Sequence, residues 1–194
     1  MVFSANHPVY AELHCLSNFT FLRGASDPEA LVEQACHLGY KALAITDECS
    51  FSGVVRAHVK AKELNFKLII GSEFRFESGF KIVLLATNRE GYGQLSRLIT
   101  VSRRKAKKGE YFIDRDILKK NYPDNCLLLW ISNKNKNETI ELKWLKILFV
   151  KKIWIAVEVF INGNDNQNLA YFKKLSDDIK IPLCATGNVH MCRS

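Results

Sequence analysis

Val9-Tyr10-Ala11-Glu12-Leu13-His14-Cys15-Leu16-Ser17 reads as a short strand that ends on an imidazole. The same design returns three more times, in Ala42-Leu43-Ala44-Ile45-Thr46-Asp47-Glu48, in Leu68-Ile69-Ile70-Gly71-Ser72-Glu73 and in Ala185-Thr186-Gly187-Asn188-Val189-His190. Runs this rich in Ile, Val and Leu predict strands covered on both faces, and each one stops at a His or a carboxylate. Four such ends on one rim of a sheet or barrel would bring His14, Asp47, Glu48, Glu73 and His190 together. Imidazole and carboxylate are donors suited to zinc or manganese.

Working outward, the chain alternates strand and helix patterns almost from end to end. Strands are predicted at Val9–Cys15, Ala42–Thr46, Lys67–Phe76, Lys81–Ala86, Cys126–Ile131, Ile153–Phe160 and Ile181–Thr186. Ser26-Asp27-Pro28-Glu29 carries a capping signal with an early Pro; Leu31, Ala35 and Leu38 follow at helical spacing, and Gly39 closes that helix. A second helix is predicted from Phe51 to Leu64 with Val54, Val55, His58 and Val59 inward. Others are expected at Gly91–Ser102, Glu138–Phe149 and Gln167–Ile179, with a short one starting near Asp114 in a basic excursion. The pattern predicts one α/β domain over residues 1–194 with a parallel sheet, either an incomplete barrel or an open sheet. In a barrel, functional groups sit at the C-terminal ends of strands, where these five residues fall.

The bulk properties exclude several classes. Hydrophobic residues are 47% and charged ones 25% of 194, which argues against disorder. No apolar run reaches the about 18 residues of a membrane span. Residues Met1 to Pro8 do not read as an export signal, so a cytoplasmic location is expected. The six cysteines form no Cys-x-x-Cys pair and are expected to be reduced and mostly buried. His7 and His37 are expected at the surface. The net charge is +8, and the densest cationic run, Arg103, Arg104, Lys105, Lys107 and Lys108, is a candidate contact for DNA phosphates.

Read with their neighbours, these segments resemble the PHP (polymerase and histidinol phosphatase) domain, above all the N-terminal PHP domain of bacterial C-family DNA polymerases in the error-prone, damage-tolerant branch. The residues that carry the resemblance are Tyr10 to Ser26, Ala42 to Ser50, Gly53 to His58, Ile70 to Phe74, Leu84 to Ala86 with Gly91-Tyr92, and Thr186 to Met191. The resemblance implies a distorted (β/α)7 barrel, here incomplete after its last strand, and a metal-dependent phosphoesterase site holding up to three ions. It also shows where this chain departs from the family. Of the His-x-His motif only His14 remains, with Leu16 in the second place; Arg23 stands for an Asp; Thr46-Asp47-Glu48 stands for Thr-Asp-His; Lys81 aligns with a His; and Asn188-x-His190 stands for Asp-x-His.

A two-metal phosphoesterase needs ions about 3.5–4 Å apart bridged by anionic ligands. The departures remove most of that set and bring two cations, Arg23 and Lys81, which repel a divalent ion and neutralise Glu48 and Glu73. The expected site is therefore vestigial: no catalytic residue, no cofactor or at most one residual Zn or Mn on His14, Asp47, Glu48, Glu73 and His190, with Arg23 and Lys81 as structural cations. Polymerase carboxylates are not expected in this chain, which looks cut short after its seventh strand. Three readings follow from the resemblance. The first is a scaffold domain of a DNA polymerase in replication and translesion repair, with DNA and replication or repair proteins as partners. The second is an active PHP phosphoesterase, either a 3′–5′ exonuclease or a small phosphatase. The third is a basic DNA-binding module.

Overall fold

The computed structural model describes residues 9–161 and 163–192. Seven strands occur in these residues, β1 (Ala11–Cys15), β2 (Ala42–Ile45), β3 (Leu68–Arg75), β4 (Lys81–Ala86), β5 (Cys126–Ile131), β6 (Ile153–Glu158) and β7 (Leu183–Thr186), hydrogen-bonded in sequence order. Six helices connect them: α1 (Pro28–His37), α2 (Val54–Glu63), α3 (Arg89–Arg104), α4 (Arg115–Lys120), α5 (Glu138–Leu148) and α6 (Asp165–Ile179). The segment after β7 brings the sheet back on itself. Leu16 N donates to Val189 O at 2.8 Å, and Val189 N donates to His14 O at 2.9 Å, so the barrel is nearly closed.

The sheet is not wholly parallel, as the strand–helix alternation had suggested. β4 runs antiparallel to both β3 and β5. Its link from β3 is the tight turn Phe76 to Phe80, where Phe76 N donates to Phe80 O at 2.9 Å. A parallel crossover needs a dozen residues or more, so five permit only a hairpin. The reversal matters for the site, because it puts the first residue of β4, Lys81, on the rim where the parallel strands end.

Alternation along the strands sorts side chains between the barrel interior and the helix layer. Ala44, Val83, Leu85, Leu129, Ile131 and Ala156 pack together inside. On the outer face, Phe74, Ile82, Leu84, Leu128, Trp130 and Ile155 join α3, α5 and α6, and Leu43 and Ile45 join α1 and α2. In α2 the buried residues are Val54, Ala57 and Ala61, whereas Val55, His58 and Val59 face water, against expectation. Small Ala side chains let α1 and α2 approach closely, so Val55 and Val59 turn outward while Val54 stays buried at the start of the helix. Of the residues at helical spacing in α1, Leu31 and Ala35 are buried and Leu38, just past the end of the helix, is exposed.

Helix ends follow local chemistry. Asn88 and Asp114 cap α3 and α4 by accepting from Gly91 N at 2.9 Å and Ile117 N at 2.7 Å. Asp27 precedes Pro28 but makes no cap bond; its carboxylate accepts from Asn18 Nδ2 instead. Gly39, at φ +74°, ends α1 as expected. The six cysteines are free, with Cys15, Cys49 and Cys126 buried and Cys36, Cys184 and Cys192 half-buried. His37 is exposed, while His7 lies outside the described residues. Among the described residues, no helix is long and apolar enough to cross a membrane.

Candidate functional site

The rim chemistry begins with an irregularity in β1. Glu12 pairs with Leu43, but Cys15 pairs with Ile45, so β1 carries one extra residue between them. Such a bulge re-aims a side chain. His14, within it, turns into the barrel mouth, where Nε2 lies 2.8 Å from Glu73 Oε2 and Nδ1 lies 3.1 Å from Glu158 Oε1. Burial disfavours the charged imidazole, but the hydrogen bonds to Glu158 and Glu73 outweigh it and raise the pKa. With a carboxylate at each nitrogen, His14 is held as an imidazolium that donates twice.

Arg23 enters the same mouth from the loop after β1. Its Nη1 donates to Glu48 Oε2 at 2.5 Å and to Glu73 Oε1 at 2.6 Å, and Nη2 reaches Glu73 Oε2 at 3.1 Å. The loop is built to deliver it. Ser17 Oγ and Thr20 Oγ1 donate to Asp47 at 2.7 Å each, Ser17 N donates at 2.8 Å, and Glu48 N donates to Thr20 Oγ1 at 3.0 Å. Leu22 then takes a left-handed φ of 62°, costly by about 1–2 kcal/mol for a residue with a Cβ, which turns Arg23 inward. Gly24 follows against Ser17: a Cβ there would lie 1.9 Å from Ser17 O. Asp47 is thus a loop anchor, with both oxygens occupied outside the mouth.

The carboxylates are matched to these cations. Burial opposes the charge on Glu73, but His14 and Arg23 override it and hold its pKa well below the usual carboxylate range. Glu48 accepts from Tyr111 Oη at 2.7 Å as well as from Arg23. Asn188 Nδ2 donates to Glu158 at 3.3 Å, and Asn188 Oδ1 lies 2.9 Å from His190 Nε2. His190 is pushed down by its own burial and by Arg23, His14 and Lys81 nearby, so it stays neutral at neutral pH. Lys81 shares the inner face of β4 with Val83 and Leu85 and forms no ion pair among the described residues. The rim therefore joins His14, Glu48, Glu73, Arg23 and His190, with Lys81 beside them and Asp47 behind.

Two members were not singled out in the sequence. Glu158 is the one charge in the apolar strand β6, at its C-terminal end and in inward register with Trp154 and Ala156, and the strand-end rule applied to β6 finds it. Tyr111 sits in an irregular loop and has no such signal. Arg103, grouped above with the DNA-facing run, is turned inward, donating to Cys49 O at 3.1 Å and Glu48 O at 3.2 Å. Arg104, Lys105, Lys107 and Lys108 are exposed.

The resemblance to the PHP domain implies a bound metal at this rim. Both oxygens of Glu73, both of Glu48 and both nitrogens of His14 already hold protein partners, and a guanidinium occupies the space between the two Glu residues. Among the described residues no three His, Cys, Asp or Glu side chains are grouped to hold an ion. This arrangement does not fit a divalent cation.

The comparisons agree on the family. Residues 12–143 match the PHP domain. Similar proteins called error-prone DNA polymerase include that of Methylococcus capsulatus, 52% identical over 94% of this chain and 17% of the relative. That of Dechloromonas aromatica is 50% identical over 95% and 18%. The chain thus spans under a fifth of the length of these relatives. Among solved structures, a two-domain protein of Bacteroides vulgatus described as containing a PHP-like metal-dependent phosphoesterase superposes with a TM-score of 0.63 at 15% identity, over 95% of this chain and 52% of that one. An amidohydrolase from Chromobacterium violaceum gives 0.62 at 12%, over 94% and 88%. These two show the shared fold alone. With its barrel and its sequence in agreement, the chain belongs to the PHP domain family and, within it, is similar to the error-prone DNA polymerases.

Proposed function

We propose that the chain is the PHP domain of an error-prone DNA polymerase, retained as a structural scaffold in which Arg23, with Lys81 beside it, stands in for the metal ions of a hydrolytic relative. On this reading the polymerase is a cytoplasmic nucleotidyltransferase. It copies damaged DNA in translesion repair together with replication and repair proteins, and its polymerising carboxylates lie outside this chain. The observation that carries the scaffold role is the Arg23 guanidinium held across Glu48 and Glu73. One guanidinium and one imidazolium set two positive charges among the carboxylates of Glu48, Glu73 and Glu158, without a water-activating centre.

The test is bound metal and hydrolysis. The chain is purified without chelators, its Zn, Mn and Fe are measured, and hydrolysis of bis-p-nitrophenyl phosphate is followed with each ion added. The expected result is far less than one ion per chain and no hydrolysis above the metal-only blank. Metal-dependent hydrolysis that disappears in His14→Ala would establish a working phosphoesterase and overturn the scaffold role.

A further inference from the structure

Arg103 is the first cation of the densest basic run, and its guanidinium is occupied within the fold. Besides Cys49 O and Glu48 O, it reaches Gly109 O at 3.3 Å, and it stacks 5.4 Å from the Tyr111 ring centre. Tyr111 is itself fixed, accepting from Arg75 N at 2.8 Å and donating to Glu48. Around this pin the chain folds back: Glu110 N donates to Lys107 O and Phe112 N to Ser102 O, each at 3.0 Å, and Gly109 turns the chain at φ +94°. The segment after α3 is thereby fastened to the rim beside Glu48.

The pinned segment presents Arg104, Lys105, Lys107 and Lys108 to water, none of them in an ion pair among the described residues. Like charges this close repel one another, so the segment left alone would spread. Holding it folded removes an ordering cost that a polyanion would otherwise meet on binding. The only uncharged residue between Arg104 and Lys108 is Ala106, so there is no apolar side chain to enter a lipid surface. A chain of phosphates is the better match.

We propose that this edge docks the phosphate backbone of a nucleic acid, with Arg104, Lys105, Lys107 and Lys108 as the contacts and Arg103 as the positioning residue that holds them. The proposal goes beyond the scaffold role and does not depend on it. Phosphate contacts carry little sequence information and weaken steeply with salt.

The experiment follows fluorescence anisotropy of labelled mixed-sequence DNA, single- and double-stranded, titrated with the full chain across a salt series. The variant Lys105→Ala/Lys107→Ala/Lys108→Ala should flatten the slope of log affinity against log salt by about 2–3, at unchanged circular dichroism. Arg103→Lys keeps the charge but cannot bridge two carbonyls and stack at once. It should weaken binding several-fold while leaving the slope within about one unit of the parent. A triple variant that binds like the parent overturns the docking edge. An Arg103→Lys variant that binds like the parent overturns the positioning role. Tighter binding to phosphatidylserine vesicles than to DNA at the same salt would assign the edge to a membrane and overturn the nucleic-acid reading.

Discussion

Glu73 and Glu141 are both buried acids, and they sit in opposite circumstances. Glu73, at the barrel mouth, meets His14 and a bidentate Arg23, and its pKa falls well below the ordinary range. Glu141, in the first turn of α5, has one long contact from Asn135 Nδ2 at 3.4 Å, and its Oε2 has no hydrogen-bond partner. Burial then dominates, Glu138 adds like charge, Asn135, Arg115 and Trp130 offset them only in part, and its pKa rises. Burial by itself therefore costs stability, and what stabilises the mouth is the supply of cations at hydrogen-bond distance. The mouth has been completed with protein groups, while the α5 edge has been left short of them.

The strongest way to break the contrast is to make the mouth resemble the α5 edge. Arg23→Ala leaves Glu48 and Glu73 facing each other with only His14 and Tyr111 to answer them. Removing one partner of a buried pair costs about 3–5 kcal/mol, and roughly 3 is expected here because Arg23 is 21% exposed. Urea unfolding at neutral pH measures it. Added Mn²⁺ or Zn²⁺ should recover part of the loss in this variant and none in the parent, since a ligand stabilises only the state that binds it. A loss below about 0.5 kcal/mol, the range of an ordinary surface substitution, would mean that Arg23 is decoration on the mouth.

His14 gives the contrast a pH signature. Its folded pKa lies above the ordinary value of about 6.5, so the folded state binds the proton more tightly than the unfolded chain. Its contribution is complete below about 6.5 and disappears as pH rises through the raised folded value. Charge-assisted bonds of this kind are worth about 1.5–3 kcal/mol. Urea midpoints followed upward from pH 6 should fall across that window in the parent and stay flat in His14→Gln. Equal slopes in the two proteins would show that the imidazole is neutral in the fold.

How much of this could be read beforehand differs between fold and mouth. The seven strands were legible because Ile, Val and Leu runs end at charged or turn residues, and the observed bounds differ by a residue or two. The antiparallel β4 was legible too, since Glu77-Ser78-Gly79 is too short for a crossover, but alternation of strands and helices elsewhere obscured it. In α2, apolar identity misled because the tight contact with α1 selects Ala57 and Ala61 over larger Val55 and Val59. At the mouth, strand ends located His14, Glu48 and Glu73. The bulge that aims His14, the left-handed Leu22 that aims Arg23, and the loop that brings Tyr111 to Glu48 are tertiary facts with no local period.

Tyr111→Phe sharpens the comparison at lower cost. It removes one donor from Glu48 and the acceptor for Arg75 N while keeping the ring under Arg103. Glu48 is 20% exposed and water can take the vacated place, so a loss of about 1 kcal/mol is expected. Urea unfolding against the parent measures it, and a loss as large as that of Arg23→Ala would make the phenol, not the guanidinium, the main support of Glu48.

The smallest change is expected on the other side of the comparison, and with the opposite sign. Glu141→Gln keeps the shape of the side chain and removes a charge that Asn135, Arg115 and Trp130 answer only in part. Because the folded pKa of Glu141 is raised, the folded state holds its proton more tightly, and stability falls as pH climbs from the unfolded value to the folded one. Above that window the carboxylate is a standing cost; below it both states are protonated and the cost vanishes. Gln has no such window, and its amide oxygen can still accept from Asn135 Nδ2 or from the Trp130 indole N–H. At neutral pH the variant should match or exceed the parent by up to about 1 kcal/mol, and the two should converge in acid. Urea midpoints at neutral and acid pH decide it. A neutral-pH loss like that of the Arg23 variant would mean that Arg115 closes on Glu141 in solution, and the distinction between fully and partly answered buried acids in this barrel would fail.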